Sequence, residues 1–327
     1  MPELMNVQLR PLALGEMLDH SFNLYRRNFV LFFGVSMLPA LLILIVSLAV
    51  DVVGAFLGNT IPGRTPLPGR NGLPDFSSLM IVYLVIGAFA GVMAYYVGIA
   101  FSQAAGTRAL SSVYLGNKVT ITSAFSNIGR IFGRVLGIIG LVALLGIVPM
   151  LVFLGMGVGT FLMRNSLSTV SIVALVVFAV FGLAGSLVLA IFISLRYAVA
   201  VPTCVIENRA IGDSLRRSSF LMRGNYVNAF VIFLLVGLIS MVIGWIFQMP
   251  IQIAVLLLFR NSTWLGNLLV HLSQFISTAL VAPFQIIAIS LLYYDERIRK
   301  EAFDIQFMMR ESGMASGATQ SSAAIIG

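Results

Sequence analysis

Six long apolar runs set the limits on what this chain can fold into. A helix needs about 20 apolar residues to cross the hydrocarbon core of a bilayer, and each run is long enough. Only 10% of the residues are charged and 59% are hydrophobic, whereas a soluble domain carries about 25% charged residues. We therefore predict an all-α, polytopic integral membrane protein with about six transmembrane helices. The predicted spans are about 29–57, 77–103, 135–161, 169–194, 227–258 and 265–292.

The basic residues are distributed unevenly between the two sides of these spans. Of the 20 Lys and Arg residues, 16 fall on the side that holds both termini and only four on the other, at Arg64, Arg70, Arg164 and Arg260. Positive residues near span ends are retained in the cytoplasm. We therefore predict a multi-pass membrane protein with cytoplasmic N- and C-termini.

The net charge of +8 does not indicate a nucleic-acid partner. Acidic residues such as Glu16, Asp19, Glu207 and Asp213 interleave with the arginines, whereas a nucleic-acid surface concentrates positive charge on one face. The basic residues instead suit anionic lipid headgroups, so the bilayer is the predicted partner.

The spans divide the chain into three parts. Residues 1–28 form a predicted cytoplasmic arm with an interfacial helix, 29–292 the membrane domain, and 293–327 a cytoplasmic tail that is disordered from about residue 312. No cleavable signal is recognisable before the first span. The segment from Asp295 to Arg310 is either an amphipathic helix on the membrane or a partner, or a solvated charged helix end.

A repeat relates the entrances to the first and fifth spans. Residues 14–33 and 211–230 align without gaps at an offset of 197 and share eight identities in 20 positions. In each copy an acid precedes arginines, the order that suits a helix dipole, and apolar residues fall at helical spacing. This pattern predicts a short amphipathic interfacial helix before each span. The segment from Thr120 to Val135 is a weaker third copy, so the chain is predicted to contain three parallel units, each an interfacial helix and a helical hairpin.

Three blocks of the sequence also carry a resemblance to a known family. The chain resembles the bacterial membrane domain of glycerophosphoryl diester phosphodiesterase. The similar residues are 10–12, 14–16 and 24–29, then 196–202, 214–218 and 223–225, and finally 293–301. The resemblance implies a multi-span domain of the bacterial plasma (inner) membrane, which in some members is fused to a catalytic domain. It implies no activity for the stand-alone form.

No catalytic machinery is recognisable in the sequence. The catalytic domain of that enzyme class is a barrel of roughly 250 residues, whereas the longest segment outside the predicted spans is the 35-residue tail. The sequence contains no phosphate loop, dinucleotide fingerprint, HExxH or nucleophile elbow. His20 and His271 are predicted at opposite faces, which leaves no metal-ligand set. We therefore expect no enzymatic activity, no metal and no cofactor.

Five polar residues inside spans form a candidate pocket. These are Asp51, Gln248, Gln252, His271 and Gln274. At 1.5 Å per residue each lies within roughly 9–15 Å of the outer boundary, and Pro250 is a place where the fifth span can open. The set indicates either an outward-facing polar pocket with an ionisable member or polar side chains that join neighbouring helices by hydrogen bonds.

Two functional hypotheses follow from these patterns. The first is a non-catalytic scaffold or accessory subunit that contacts lipid headgroups or a membrane or cytoplasmic protein partner. The second is a small transporter or lipid-handling protein that uses the outward polar pocket. The residues predicted to make the interfacial contacts are Arg26, Arg27, Arg216, Arg217, Arg223, Arg297, Arg299 and Lys300.

Overall fold

The fold is described from a computed structural model of the chain. It describes residues 14–60, 78–114, 116, 119–126, 128–163, 166, 168–258 and 263–301. Residues 1–13 of the predicted arm, residues 61–77 between the first two spans, and the tail beyond residue 301 lie outside the described residues. The predicted disorder from residue 312 therefore stays a prediction.

The described residues form α-helices, with no strand among them. The helices are α1 (Leu14–Arg27), α2 (Phe29–Thr60), α3 (Ser78–Tyr114), α4 (Ile121–Phe125), α5 (Ile128–Leu162), α6 (Thr169–Arg196), α7 (Ala200–Glu207), α8 (Ile211–Met222), α9 (Tyr226–Leu258) and α10 (Thr263–Glu301).

Six of these helices, α2, α3, α5, α6, α9 and α10, are long and apolar enough to cross a membrane. Large apolar side chains cover their outer faces, and Phe89, Phe181 and Val170 are 67%, 74% and 79% exposed. Such a surface is compatible with lipid and not with water. The chain is therefore an all-α, multi-pass integral membrane protein, as the sequence predicts.

Several helices extend beyond the apolar runs. α5 begins at Ile128, seven residues before the predicted span. The segment predicted as the weak third repeat therefore contains a five-residue helix, α4, and the first residues of α5. α10 continues to Glu301, past the predicted end at residue 292. The helix continues there because its charged residues pair along it: Arg297 with Glu301, and Arg299 with Asp295, each four residues apart.

The long helices form three hairpins in a closed order. α2 packs on α3, α5 on α6 and α9 on α10. The second helix of each hairpin also contacts the first helix of the next, since α3 meets α5, α6 meets α9 and α10 meets α2. The short helices repeat this order: α1 contacts α10, α4 contacts α3 and α8 contacts α6. This cyclic order of contacts supports the prediction of three units of one orientation.

Burial follows the repeat in α1–α2 and α8–α9. At the offset of 197, six pairs of aligned residues are buried in both copies. The pairs are Met17 and Ser214, Ser21 and Ser218, Leu24 and Leu221, Phe32 and Ala229, Val35 and Ile232, and Pro39 and Val236. Both copies therefore present the same helix face to the core, although the buried side chains differ in volume.

The core lies toward one end of the bundle, which we call the basic end. There α2, α5 and α9 begin and α3, α6 and α10 end. Every Lys and Arg among the described residues lies near this end. α10 is the central helix, because it contacts α1, α2, α3, α7, α8 and α9. Its Ile287, Leu292 and Tyr293 are completely buried.

Candidate functional site

Asp51 and His271 lie in contact toward the opposite end of the bundle. Asp51 is on α2 and His271 on α10, and Asp51 Oδ2 lies 2.9 Å from His271 Nε2. Their side chains are 26% and 21% exposed. Two of the five predicted pocket residues, 220 positions apart in the chain, are thus brought together. A carboxylate is costly in hydrocarbon, and the imidazole offers it a hydrogen-bond partner.

The space beside this pair is very small. His271 and Gln274 line it together with Ser47, Thr278 and apolar residues of α2 and α10, and its volume is about 10 Å³. A cavity must offer at least about 10–15 Å³ to hold one water molecule. In this conformation the site therefore holds at most one water molecule and has no room for an organic solute.

The other glutamines are less closely associated with the pair. Gln248 is half-buried on α9, whereas Gln252 on α9 and Gln274 on α10 are exposed. α9 continues as a helix through Pro250, so the expected opening of the fifth span is absent from this helix. The structure thus joins Asp51, His271 and Gln274, and leaves Gln252 on the outer surface.

A second polar cluster, which we call the network, lies at the basic end. Glu207, at the end of α7, accepts hydrogen bonds at Oε1 from Tyr293 Oη at 2.8 Å and from Arg217 Nε at 3.3 Å. Arg217 also pairs with Glu301. The loop of contacts is closed by Arg297, whose Nε lies 3.3 Å from Glu301 Oε2 and whose Nη1 donates to Tyr293 Oη at 3.1 Å. The five side chains join α7, α8 and α10.

The electrostatics of the network favour its charged form. The pKa of Arg217 is raised above its usual value, first by the hydrogen bond to Glu301 and also by the charge of Glu207, against a lowering effect of burial. Arginine is already protonated at physiological pH. The raised pKa therefore reflects the two carboxylate partners and does not change the charge of Arg217 at physiological pH.

Asn225 and Glu296 join the α8–α9 turn to the central helix. Asn225 Nδ2 donates to Glu296 Oε1, and Glu296 is 1% exposed. Asn225 is the repeat partner of Asn28, which lies at the α1–α2 junction and donates its Nδ2 to Leu24 O at 3.2 Å. In both copies an asparagine therefore makes hydrogen bonds at the entrance to the span.

The predicted interfacial residues fall into two groups. Arg26, Arg27, Arg216 and Arg223 are exposed on or beside α1 and α8. Of the other four, Arg217 and Arg297 belong to the network, Arg299 Nε lies 2.7 Å from Asp295 Oδ2, and Lys300 Nζ donates to Phe220 O and Arg223 O at 2.9 and 2.6 Å. Lys300 thus caps the end of α8, where free carbonyls attract a cation.

Sequence reasoning did not select Glu207, Asn225, Tyr293, Glu296 or Glu301 as site residues. A signal for four of them was present, because Asn225 and residues 293–301 lie in the blocks that carry the family resemblance. Glu207 has no such signal. Its role depends on α7 folding back so that its end meets α8 and α10.

The described residues contain no group of three or more His, Cys, Asp or Glu side chains placed to hold a metal ion. In comparison with known proteins, a family described as "Domain of unknown function (DUF8558)" matches residues 65–306. No curated protein and no solved structure matches the chain.

Proposed function

The chain belongs to the DUF8558 family, and we propose that it acts as a non-catalytic membrane scaffold or accessory subunit. It contacts lipid headgroups or a partner protein through its basic end, which lies on the cytoplasmic side of the bacterial plasma membrane. The proposal keeps the membrane architecture of the glycerophosphoryl diester phosphodiesterase resemblance and assigns no reaction to this chain.

The observation that carries the proposal is the network beneath exposed basic residues. Glu207, Arg217, Glu301, Arg297 and Tyr293 hold α8 against α7 and α10. On the outer side of the same helix Arg216 and Arg223 are exposed, and Phe220 is 54% exposed. A basic and aromatic surface held on a rigid support suits recognition of headgroups or of a partner.

The Asp51–His271 site, at the opposite end of the bundle, also supports a scaffold over a transporter. Transporters place their substrate near the midplane, on broken helices. Here the polar residues border a space of about 10 Å³, and the helix that contains Pro250 is continuous.

Site-specific photocrosslinking in native membranes tests the proposal. We expect a benzophenone amino acid in place of Phe220 to give a discrete adduct with one protein or one headgroup class. The same group in place of Phe181, on the lipid face of α6, serves as the matched control and should label acyl chains. The Phe220 adduct should disappear in an Arg216→Gln/Arg223→Gln variant. Identical adducts at the two positions would contradict the scaffold function.

The alternative function, a small transporter or lipid-handling protein, is favoured by one observation, the Asp51–His271 contact. An ionisable pair between two spans is typical of proton and solute pathways. Under this alternative, Asp51→Asn and His271→Ala leave folding intact and abolish a solute or lipid flux. Under the scaffold function, both variants retain the Phe220 adduct at normal protein levels.

A further inference from the structure

The outer face of α8 carries a hollow at the basic end. Its lining consists of Arg209, Asp213, Arg216, Arg217 and Phe220, and its volume is about 350 Å³. This volume lies within the range of small-molecule sites. The hollow is lined by three guanidinium groups and one carboxylate.

The three arginines are held in different ways. Arg217 is fixed from behind by Glu207 and Glu301, and Arg209 by Glu207. The Glu207 side chain is only 9% exposed and is not among the residues that line the hollow. Arg216 is exposed, and among the residues that the structure describes it forms no ion pair. The hollow thus combines two oriented arginines with one that can turn toward a ligand.

The repeat shows that an amphipathic helix at this position does not need the arginines. At the offset of 197, the counterparts of Arg216, Arg217 and Phe220 on α1 are Asp19, His20 and Asn23. α1 nevertheless forms a helix and buries the same face as α8. Asp213, in contrast, corresponds to another acid, Glu16, and both lie in the first turn of their helix, where the dipole favours a carboxylate. The acid is therefore common to the two helices, and the basic and aromatic lining is particular to α8.

We propose that this hollow binds a phosphate group. Guanidinium groups match phosphate oxygens through paired, charge-assisted hydrogen bonds. Arg209 and Arg217 approach the ligand in orientations set by Glu207 and Glu301, and Arg216, which forms no ion pair among the described residues, supplies a further guanidinium group. Exposed Phe220 provides an apolar wall beside the phosphate. The phosphate is carried either by a membrane lipid headgroup or by a soluble compound. This proposal rests on the proposed function, because that function places the basic end, and with it the hollow, on the cytoplasmic side of the membrane.

The experiment measures binding to the full chain in nanodiscs, with two probes. One arm titrates inorganic phosphate into protein held in uncharged phosphatidylcholine, at constant ionic strength. The other reconstitutes the protein in nanodiscs with and without phosphatidic acid. It measures how much phosphatidic acid stays bound to the purified protein. Arg216→Gln should weaken binding about tenfold, as expected for the loss of one guanidinium–phosphate contact. Arg26→Gln, an exposed arginine of α1, is the matched control and should weaken binding less than Arg216→Gln does.

The two arms identify the source of the phosphate. Binding of inorganic phosphate that depends on Arg216 indicates a soluble ligand. Arg216-dependent binding of phosphatidic acid alone indicates a lipid. Either result supports the site. Equal losses in Arg216→Gln and Arg26→Gln, or no binding in either arm, would overturn it. A failure here leaves the Phe220 crosslinking result intact, so the phosphate site and the scaffold function are tested separately.

Discussion

Glu207 is the residue on which the network at the basic end depends most. Its nearly buried carboxylate contacts Tyr293, Arg217 and Arg209 at once. In Glu207→Ala, Arg217 loses one of its two carboxylate partners and the Tyr293 hydroxyl loses its acceptor. We expect a loss of about 1–3 kcal/mol in the free energy of unfolding, because removing one partner leaves poorly solvated polar groups without hydrogen bonds. Thermal unfolding of the purified protein in detergent measures this loss.

Asp213→Asn is the matched control for that substitution. Asp213 is an exposed acid on α8, in the same surface region but outside the network. Its change should stay within about 0.5 kcal/mol, as for most surface substitutions. If both variants unfold at the same temperature, the network does not stabilise the basic end.

At the residue scale, the sequence predicted the depth of a polar side chain in the membrane better than it predicted which side chain it contacts. Asp51 and His271 were placed in the same outer half of the membrane by counting residues along their spans. Their direct contact depends on how α2 and α10 are rotated about their own axes, and a single sequence carries little information on that rotation. Gln252 shows the other outcome, since it shares a helix face with Gln248 by spacing but is exposed.

At the scale of elements, the α5–α6 hairpin offers a sharp test of helix packing. Gly182 on α6 faces the ring of Phe153 on α5, and a Cβ at this position would overlap that ring. Gly182→Ala should therefore destabilise the protein by about 1–3 kcal/mol, the usual cost of overpacking. Thermal unfolding in detergent, together with the yield of folded protein, measures the change.

Gly185 lies three residues further along α6, and a Cβ there meets nothing within 4 Å. Gly185→Ala should leave stability unchanged or raise it by up to about 1 kcal/mol, because alanine is the better helix former. If Gly182→Ala is as stable as Gly185→Ala, the two helices do not pack closely at Phe153.

The helix ends explain where prediction of the elements succeeded and failed. The apolar runs identified all six long helices, because hydrocarbon requires a minimum length of apolar helix. They predicted the ends of α5 and α10 less well. Arg130 and Arg134 lie inside α5, and Arg297 and Arg299 lie inside α10. Charged residues end an apolar run, yet they do not end a helix when they reach solvent or form ion pairs.

At the scale of the whole molecule, the three units differ in how closely they associate. α10 contacts α2 along much of its length, whereas α6 and α9 meet only sparsely, and Phe192 and Tyr226, near the basic end, form one of their contacts. The repeat in the sequence predicted related units. It did not predict that the contacts between the units are unequal. The unit α4–α6 is therefore the one held most loosely in the ring.

We predict the orientation of the whole molecule from the location of its charges. Every Lys and Arg among the described residues lies near one end, and by the positive-inside rule we expect that end to face the cytoplasm. Single cysteines can test this placement in a Cys204→Ala background, because Cys204 is the only cysteine. Asn23→Cys lies on α1 at the basic end, and Val170→Cys lies at the start of α6 at the opposite end. Both positions are exposed, and neither substitution changes a charge.

In intact cells, we expect a membrane-impermeant maleimide to label Val170→Cys and not Asn23→Cys. Permeabilised cells should label both, which controls for the accessibility of Asn23→Cys. Labelling of Asn23→Cys alone in intact cells would place the basic end outside. The scaffold function would then have to act on the external face, since the exposed arginines of α8 lie at the same end as Asn23.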